Sequence, residues 1–547
     1  MGFADEEKKL LENYVTSVDD DVFAVKGMEG MVGAAYARYS RAKGGFREVL
    51  LKEFIKEGVI DPKHADELIE RILVAYGDDS VGELEGAHIS FESVSMLAAK
   101  EIEDRRIGGS PIEQSTRYVF YDQKNDQGQW RYLDHPSLRE AEFGAQYVET
   151  MNFVFETYAS LVEPMKQYFQ KLKPLGEAEY DINGDGLKEH YADLKGEADQ
   201  KAFRTTYNFD LRSKACDTLR AILPIGTLTN VGMFGNGRFY QSLISHLLST
   251  DMPELQDIAD KTFKAGSRII KQYVRRAKRS EYMAENRKNM FRLAGELLAK
   301  AKPEKPSKVP EVKLLEDAER DVSTLAAMLF PYSNLAMSTL RQKVQEMSVE
   351  QRKRVIDVYV GRRQTRRDRP GRAFEDGYPY SFDAVVNFGV YKDLQRHRMT
   401  TQQRQLFSTK LGFDMPQELV EAGFESKVLE CVKKSDELYD RMFAVNPHFA
   451  QYAALHGHVV RWSVGMNDRE AMHLLELRTT PQGHPQYRLV CQLMHQEIKK
   501  RYPWRAEIMK FVDYDEYYWS RADSEARQRV KEKKLDEKFG HNANQTE

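Results

Sequence analysis

Apolar residues recur at helical spacing, with charged residues on the opposite face, over Lys52 to Tyr76, Glu140 to Lys173, Glu254 to Arg276 and Gln486 to Arg501. That period predicts four amphipathic helices. Strict alternation of apolar and polar positions is confined to short pieces, of which His88 to Val94 (HISFESV) and Tyr380 to Val386 (YSFDAVV) are the clearest. Both predict strands, and both lead into arginine clusters. Long helices with few short strands predict an α+β fold, helices packed on small antiparallel sheets, once per half of the chain.

The pattern lapses from Ala299 to Lys313 (AKAKPEKPSKVPEVK), where three prolines and five lysines leave almost nothing to bury. The expected organisation is an N-terminal domain at 1–298, a linker at 299–313, a C-terminal domain at 314–522 and a charged tail at 523–547 without apolar period. The two halves echo each other. Glu85-Gly86-Ala87-His88-Ile89-Ser90-Phe91-Glu92, then Arg105-Arg106, resembles Asp376-Gly377-Tyr378-Pro379-Tyr380-Ser381-Phe382-Asp383, then Arg396-His397. Val231-Gly232-Met233 with Asn236-Gly237-Arg238 resembles Val464-Gly465-Met466 with Asn467-Asp468-Arg469. The separation between the two landmarks is longer in the first half, and the polar stretch at 171–201 reads as much of an insertion there.

Composition narrows the function classes. The chain's 547 residues suffice for several domains at roughly 150 residues each. With 82 Lys plus Arg against 85 Asp plus Glu, the net charge of −3 argues against a chain-wide surface for nucleic acid or anionic lipid. Cys216, Cys431 and Cys491 are odd in number and far apart, which supports neither a disulfide framework nor a thiolate zinc site and fits a reducing, cytoplasmic compartment. Neither a leader pattern nor a bilayer-length apolar run is present, so a soluble protein without a membrane partner is expected.

Three clusters carry candidate chemistry. Glu113-Gln114-Ser115-Thr116-Arg117-Tyr118 offers a carboxylate, an amide, a hydroxyl and a guanidinium, a set suited to phosphate; Ser110-Pro111-x-Glu113 before it also reads as a capped helix start. Gln395-Arg396-His397-Arg398 sets two permanent cations about an imidazole, which on its own reads as a solvated basic turn and would also suit an anionic ligand such as a reduced flavin. The run at 362–372 holds six arginines without interleaved aromatics, either an anion site or a solvated loop. Asp181-Ile182-Asn183-Gly184-Asp185-Gly186 mimics a calcium loop, but Ala192 stands where its closing carboxylate belongs, so a turn is expected and no metal. No Gly-rich phosphate loop, H-E-x-x-H or G-x-S-x-G occurs, so a cofactor is expected to carry any chemistry.

Together these residues resemble the flavin-dependent thymidylate synthase (ThyX) family, whose motif joins Arg-His-Arg to a Ser within Glu-x-Ser-x-Arg-Tyr. The match is split between the halves. Glu113 to Tyr118 is intact, but Arg105-Arg106-Ile107 replaces Arg-His-Arg; Arg396-His397-Arg398 is intact, but Arg404-Gln405-Leu406-Phe407-Ser408 replaces the second part. Arg220-Ala221-Ile222-Leu223-Pro224, Asn236-Gly237-Arg238, Asn467-Asp468-Arg469, Leu477-Arg478, His484-Pro485-Gln486 and Pro503-Trp504 are similar to further family segments. Gly77-Asp78-Asp79-Ser80 departs from the family by lacking a histidine usual in the flavin-contacting segment, and the family's late-helix arginine has Arg268 near it in one half and Gln496 in the other.

The resemblance implies two tandem ThyX-like domains that methylate dUMP to dTMP with FAD, methylenetetrahydrofolate and NADPH. It implies Ser115 and Arg469 as catalytic residues and Glu113, Gln114, Ser115, Arg117, Arg238 and Arg469 on the nucleotide. Arg396, His397, Arg398, Arg105, Asn467, Arg478 and His484 are implied on the cofactor. Because the family is tetrameric, a homodimer forming a pseudo-tetramer is the implied assembly. The broken motifs leave open a silent paralogue that binds flavin or nucleotide as sensor or scaffold, and a flavoenzyme acting on another nucleotide.

Overall fold

Each of the two alternating stretches is the first strand of a three-stranded antiparallel motif, and the motif occurs twice. The computed structural model describes residues 3–28, 31–40, 42–56, 59–60, 82–183, 185–285, 288, 305–315, 320–329, 337–361, 372–374 and 380–519. In chain order the first half supplies β1 (Gly86–Ser95), α1 (Met96–Glu103), β2 (Gly109–Glu113), α2 (Gly144–Leu172), α3 (Glu197–Leu219), β3 (Leu228–Asn236), α4 (Gly237–Leu248) and α5 (Pro253–Gly266). The second half supplies β4 (Glu311–Leu314), α6 (Arg320–Leu329), β5 (Tyr380–Asn387), α7 (Phe388–Leu394), β6 (Thr401–Arg404), α8 (Glu425–Val445), β7 (Val459–Met466), α9 (Asp468–Arg478) and α10 (Pro485–Arg501).

The sheets run β1-β3-β2 and β4-β5-β7-β6, every pairing antiparallel. Removing the edge strand β4 leaves the same order in both: first strand, last strand, second strand. The punctuation repeats too. Ser95 and Asn387 cap the helices that follow the first strands, accepting N–H bonds from Ala98 and Val390. Asn236 and Asn467 cap those that follow the last strands, and Pro253 and Pro485 open the helices after that, each in a first-turn position where the N–H would have no helical partner anyway.

Two compact units result, neither continuous in sequence. One comprises Met1–Gln114, Leu133–Ser137 and Leu228–Pro303; the other comprises Ser115–Tyr132, Leu138–Thr227 and Glu304–Glu547. The N-terminal unit holds the three-stranded sheet with α1, α4 and α5. In the C-terminal unit the four-stranded sheet is joined by α2 and α3 from the first half. The apolar stripe of α2 (Tyr147, Met151, Val154, Tyr158, Leu161, Met165, Phe169) and that of α8 (Val428, Cys431, Leu438, Met442) are buried at helical spacing, and Val154, Cys431 and Leu455 form one cluster. Each such side chain contributes roughly 1.5–3 kcal/mol on burial, which explains why α2 seeks an apolar partner however far it lies in sequence.

Several expectations change. Ser110-Pro111-x-Glu113 does not start a helix; it forms the edge strand β2, one of the few places where a sheet tolerates proline. The helix foreseen from Glu254 to Arg276 breaks after Gly266 and resumes only at Lys271–Val274. Lys52 to Phe54 close a short π-helical turn, and Ile55–Lys56 pairs as a strand with Val59–Ile60; residues 57–58 and 61–81, which include the remainder of that expected helix and Gly77 to Ser80, lie outside the described residues. The end of the linker stretch is ordered as β4 against β5. Within 171–201 the strands Glu179–Tyr180 and Glu189–His190 pair, and Asp181 Oδ2 accepts the Gly186 N–H at 3.1 Å, the expected turn. The tail at 523–547 and the arginine run, apart from the backbone of Arg372, lie outside the described residues.

Candidate functional site

The predicted residues lie on the loops after α1 and α7, on β2 and the segment that follows it, and on α4, α9 and the start of α10, and the two compact units divide them. In the N-terminal unit, Glu113 ends β2 with its Oε2 on Lys100 Nζ at 2.9 Å, and Lys100 also pairs with Glu103; all three side chains are buried. Gln114 bonds the Asn230 carbonyl through its backbone N–H at 2.9 Å. Arg105 donates to His246, whose other ring nitrogen faces Glu101 at 3.4 Å. Arg238 forms an exposed ion pair with Glu83 at 2.6 Å.

In the C-terminal unit Arg117 of one intact fragment and His397 of the other are linked through Tyr487 and Arg478. Arg117, nearly buried, donates Nε and Nη2 to the two oxygens of Asp217 at 2.8 and 2.9 Å. Burial would lower its pKa, but Asp217 overrides that and fixes the charge. Its Nη1 reaches Tyr487 Oη at 3.4 Å, and Arg117 and Arg478 each lie 5.7 Å from the centre of the Tyr487 ring. Arg478 Nε donates to His397 Nε2 at 2.8 Å, and His397 Nδ1 meets Glu470 Oε1 at 3.0 Å. An imidazole that accepts at Nε2 carries its proton on Nδ1 and is neutral. Consistently, burial first, then Arg478 and Arg396, push its pKa down to about 3. His397 is thus a neutral imidazole that links Arg478 to Glu470.

The other predicted residues frame this line. Ser115 Oγ accepts the Arg117 N–H at 3.2 Å. Asn467 caps α9 by accepting from Glu470 N, and Arg469 follows on the first turn, half-buried. Arg396 is half-buried and Arg398 exposed. His484 is buried at the start of α10, its Nδ1 accepting from Gln486 N at 3.2 Å; burial holds it well below its ordinary pKa.

Residues not singled out from the sequence complete the site. Asp393, in the last turn of α7, accepts from Arg220 Nη1 at 3.0 Å. Burial alone would raise its pKa, yet Arg220 and then Arg117 hold the carboxyl far below the usual range. Asp217 stands one helical turn before Arg220 at the end of α3, the sole sequence hint of its role. Nothing local marks Tyr487 or Asp393, which work through partners distant in sequence. Among the described residues no cluster of three or more His, Cys, Asp or Glu side chains is placed to hold a metal, and no helix is long and apolar enough to cross a membrane.

Residues 27–270 and 312–504 match the family model described as thymidylate synthase complementing protein, which covers most of both halves. The chain belongs to the thymidylate synthase complementing protein family. Its relatives include a UPF0159 protein of Chlamydia pneumoniae, 35% identical over 96% of this chain and 98% of its own length, and a UPF0159 protein of Thermoplasma acidophilum, 31% identical over 91% and 98%. A solved structure, the UMP/dUMP methylase PolB from Streptomyces cacaoi bound with 5-Br dUMP, is 16% identical, with a TM-score of 0.28, over 37% of this chain and 94% of that one. The two matched segments carry the two sheets of equal strand order, so membership in the family is held twice in one chain.

Proposed function

We propose that this chain is a nucleotide-methylating enzyme of the thymidylate synthase type, converting dUMP to dTMP with methylenetetrahydrofolate and NADPH as co-substrates and FAD as cofactor. One observation carries the reading. Arg117, from the intact nucleotide segment of the first half, and His397 with Arg478, from the intact basic segment of the second, lie in one compact unit on either side of Tyr487. Each half supplies what the other has lost.

The donor set fits a flavin. Arg396 and Arg398 flank the neutral His397 in sequence and Arg478 bonds to it, a grouping of permanent cations that would suit the negative charge of a reduced ring. Those three arginines would hold the FAD, which supplies hydride chemistry when bound. His397 acts on Arg478, fixing the plane of its guanidinium. Asp217 does the same for Arg117, which with Ser115 and Arg469 would bind and align the nucleotide. A homodimer is the proposed assembly, each chain contributing two sheets of the family's kind.

The engagement of Arg117 by both oxygens of Asp217 favours a second reading, a paralogue that holds flavin or nucleotide without turnover. The first measurement is the visible spectrum of the purified chain with FAD while dUMP is added. Flavin bands that shift on adding dUMP would put both ligands in one site and are the expected result; a colourless chain indifferent to both overturns the proposal. Retained flavin without methylation of dUMP would select the second reading. Arg117→Ala is expected to weaken dUMP binding by roughly 1.5–3 kcal/mol while sparing flavin uptake, and unchanged dUMP affinity would remove Arg117 from the site.

A further inference from the structure

The C-terminal sheet has a fourth strand that the N-terminal sheet lacks. β4 pairs with the outer edge of β5 through Glu311 to Leu314 and lies against α10. Its Leu314, opposite Phe382, is buried, and Lys313 stands opposite Asp383. In the N-terminal unit the corresponding edge belongs to β1 and the corresponding helix is α5, and among the described residues no strand pairs there. The extended piece ahead of the first half's helix Val32–Tyr39 does not take the place, because Val25 bridges Val15 instead.

A groove of about 380 Å³ stands in its stead. Ile89 through Val94 line it without a gap, so it meets β1 edge-on, and Glu254, Asp257, Lys261 and Ala265 line it from successive turns of α5. An edge strand presents a row of unpaired N–H and C=O groups to any chain that can pair with them. The ladder of β1 with β3 is regular from Gly86 to Phe91 and bulges only beyond, which leaves a straight edge running into the groove. The charge is one-sided. Glu92, Glu254 and Asp257 stand against Lys261 and His135, the latter 3.2 Å from Asp257. Glu92 holds the repeat position of Asp383, the residue that β4 meets with a lysine.

We propose that this groove docks one extended strand of a partner polypeptide, paired antiparallel with β1 as β4 pairs with β5. A branched apolar side chain of that strand turns in beside Phe91, and a lysine stands opposite Glu92. Among the described residues the chain's own candidates are engaged, β4 on β5 and Val25 on Val15, so the occupant is a strand of another protein. Main-chain pairing supplies the affinity, and the acidic lining selects a basic sequence.

A fluorescent peptide with the sequence of Lys308 to Leu315 (KVPEVKLL) serves as the probe, its anisotropy followed as the full-length chain is added. Saturable binding is expected. Glu92→Lys reverses the charge that faces the lysine, and Ala265→Trp fills the groove; both positions are exposed, so the variants should fold, which their melting curves verify. Each is expected to weaken binding about tenfold or more. The Leu315 N–H donates to the Ser381 carbonyl at 2.8 Å, which puts the Lys313 N–H on the same pairing side of β4. A peptide N-methylated at Lys313 keeps the side chain, loses that donor and is expected to bind about tenfold more weakly as well. Absence of binding, full affinity of the methylated peptide, or binding that neither groove variant weakens would overturn the proposal, the last by placing the peptide in the slot of β4.

Discussion

The two sheets share strand order, capping residues and helix starts, yet they bridge loop and helix in opposite ways. In the N-terminal unit Arg105, from the loop after α1, contacts His246 on α4. In the C-terminal unit His397, from the loop after α7, contacts Arg478 on α9. Loop and helix correspond, but each contact is made one position apart: in the repeat alignment Arg105 matches Arg396 and His397 matches Arg106. The shift alters the local chemistry. The C-terminal histidine is sealed against Glu470 and held neutral beside its arginines, whereas the N-terminal arginine is engaged by a histidine that also faces Glu101. Duplication preserved the frame and let one copy specialise.

The largest expected effect separates the buried ion clusters that underlie the two sheets. Arg505 is fully buried and bonded to Asp468, Asp321 and Thr324, while the N-terminal counterpart is Lys100 with Glu103 and Glu113. Arg505→Ala should cost up to about 3–5 kcal/mol by removing the cation shared by Asp468 and Asp321, with Arg320 and Tyr380 left to engage Asp468. Trp130, Trp462, Trp504 and Trp519 all belong to the C-terminal unit, so tryptophan fluorescence during urea unfolding reports on that unit. Arg505→Ala should shift the fluorescence transition strongly and Lys100→Ala weakly; equal shifts would show that the units unfold as one.

Acid sharpens the contrast next. The His397 ring is pushed down to about 3, and burial also lowers His458, His484 and His495, all in the C-terminal unit. At His495 burial prevails over the raising effect of the bond to the Ala506 carbonyl. The sign follows from the depressed folded-state values. Neutral rings stabilise fully above the unfolded imidazole pKa of about 6.5, and that stability is lost as the pH falls from there through each lowered value, for His397 through about 3. His397→Gln should flatten the loss of C-terminal unit stability between neutral and mildly acid pH, measured by fluorescence-detected unfolding at several pH values. An unaltered slope would mean that His397 does not titrate on unfolding.

Smaller effects test the shared punctuation. Asn236→Ala and Asn467→Ala remove corresponding helix caps, and each should cost about 1 kcal/mol. A clearly larger loss at Asn467 would show that its cap also supports the neighbouring Arg469. Smallest is the irregularity that separates the first strands. β1 slips register between Phe91 and Val94, with Ser93 at φ +54°, while the pairing of β5 with β7 is regular. Ser93→Gly should stabilise the N-terminal unit by up to about 1 kcal/mol in calorimetry, because only glycine adopts that backbone without strain. A destabilised variant would mean that the serine side chain itself supports the bulge.

Sequence alone revealed the elements whose signals are local. The alternation of His88 to Val94 and Tyr380 to Val386, and the repeated Val-Gly-Met and Asn-x-Arg landmarks, correspond to strands and caps found twice. Helix α3 was not legible because its buried face includes Thr206, Asp210, Ser213 and Thr218 among the apolar residues, which blurs the period. The capping-box pattern before Gln114 misled for a related reason: four residues cannot tell a helix start from an edge strand that tolerates proline. In the candidate site, Arg117, His397, Arg478 and His484 stood out as residue types in motifs. Their partners Asp217, Glu470, Asp393 and Tyr487 did not, since a buried charge pair is decided by packing between segments far apart in sequence.

The assignment of Leu138–Thr227 to the C-terminal unit sets an order on biosynthesis. The N-terminal unit has its last segment once Pro303 has been translated, whereas α2 and α3 must wait for α8 and the sheet that follows. During that interval the ribosome-bound chain carries two long helices whose apolar stripes have no second-half partner to cover them. Severing the gene between the halves would leave the first product in that state permanently. The duplication, once made, is therefore locked in: the first half is not a free-standing copy of the second.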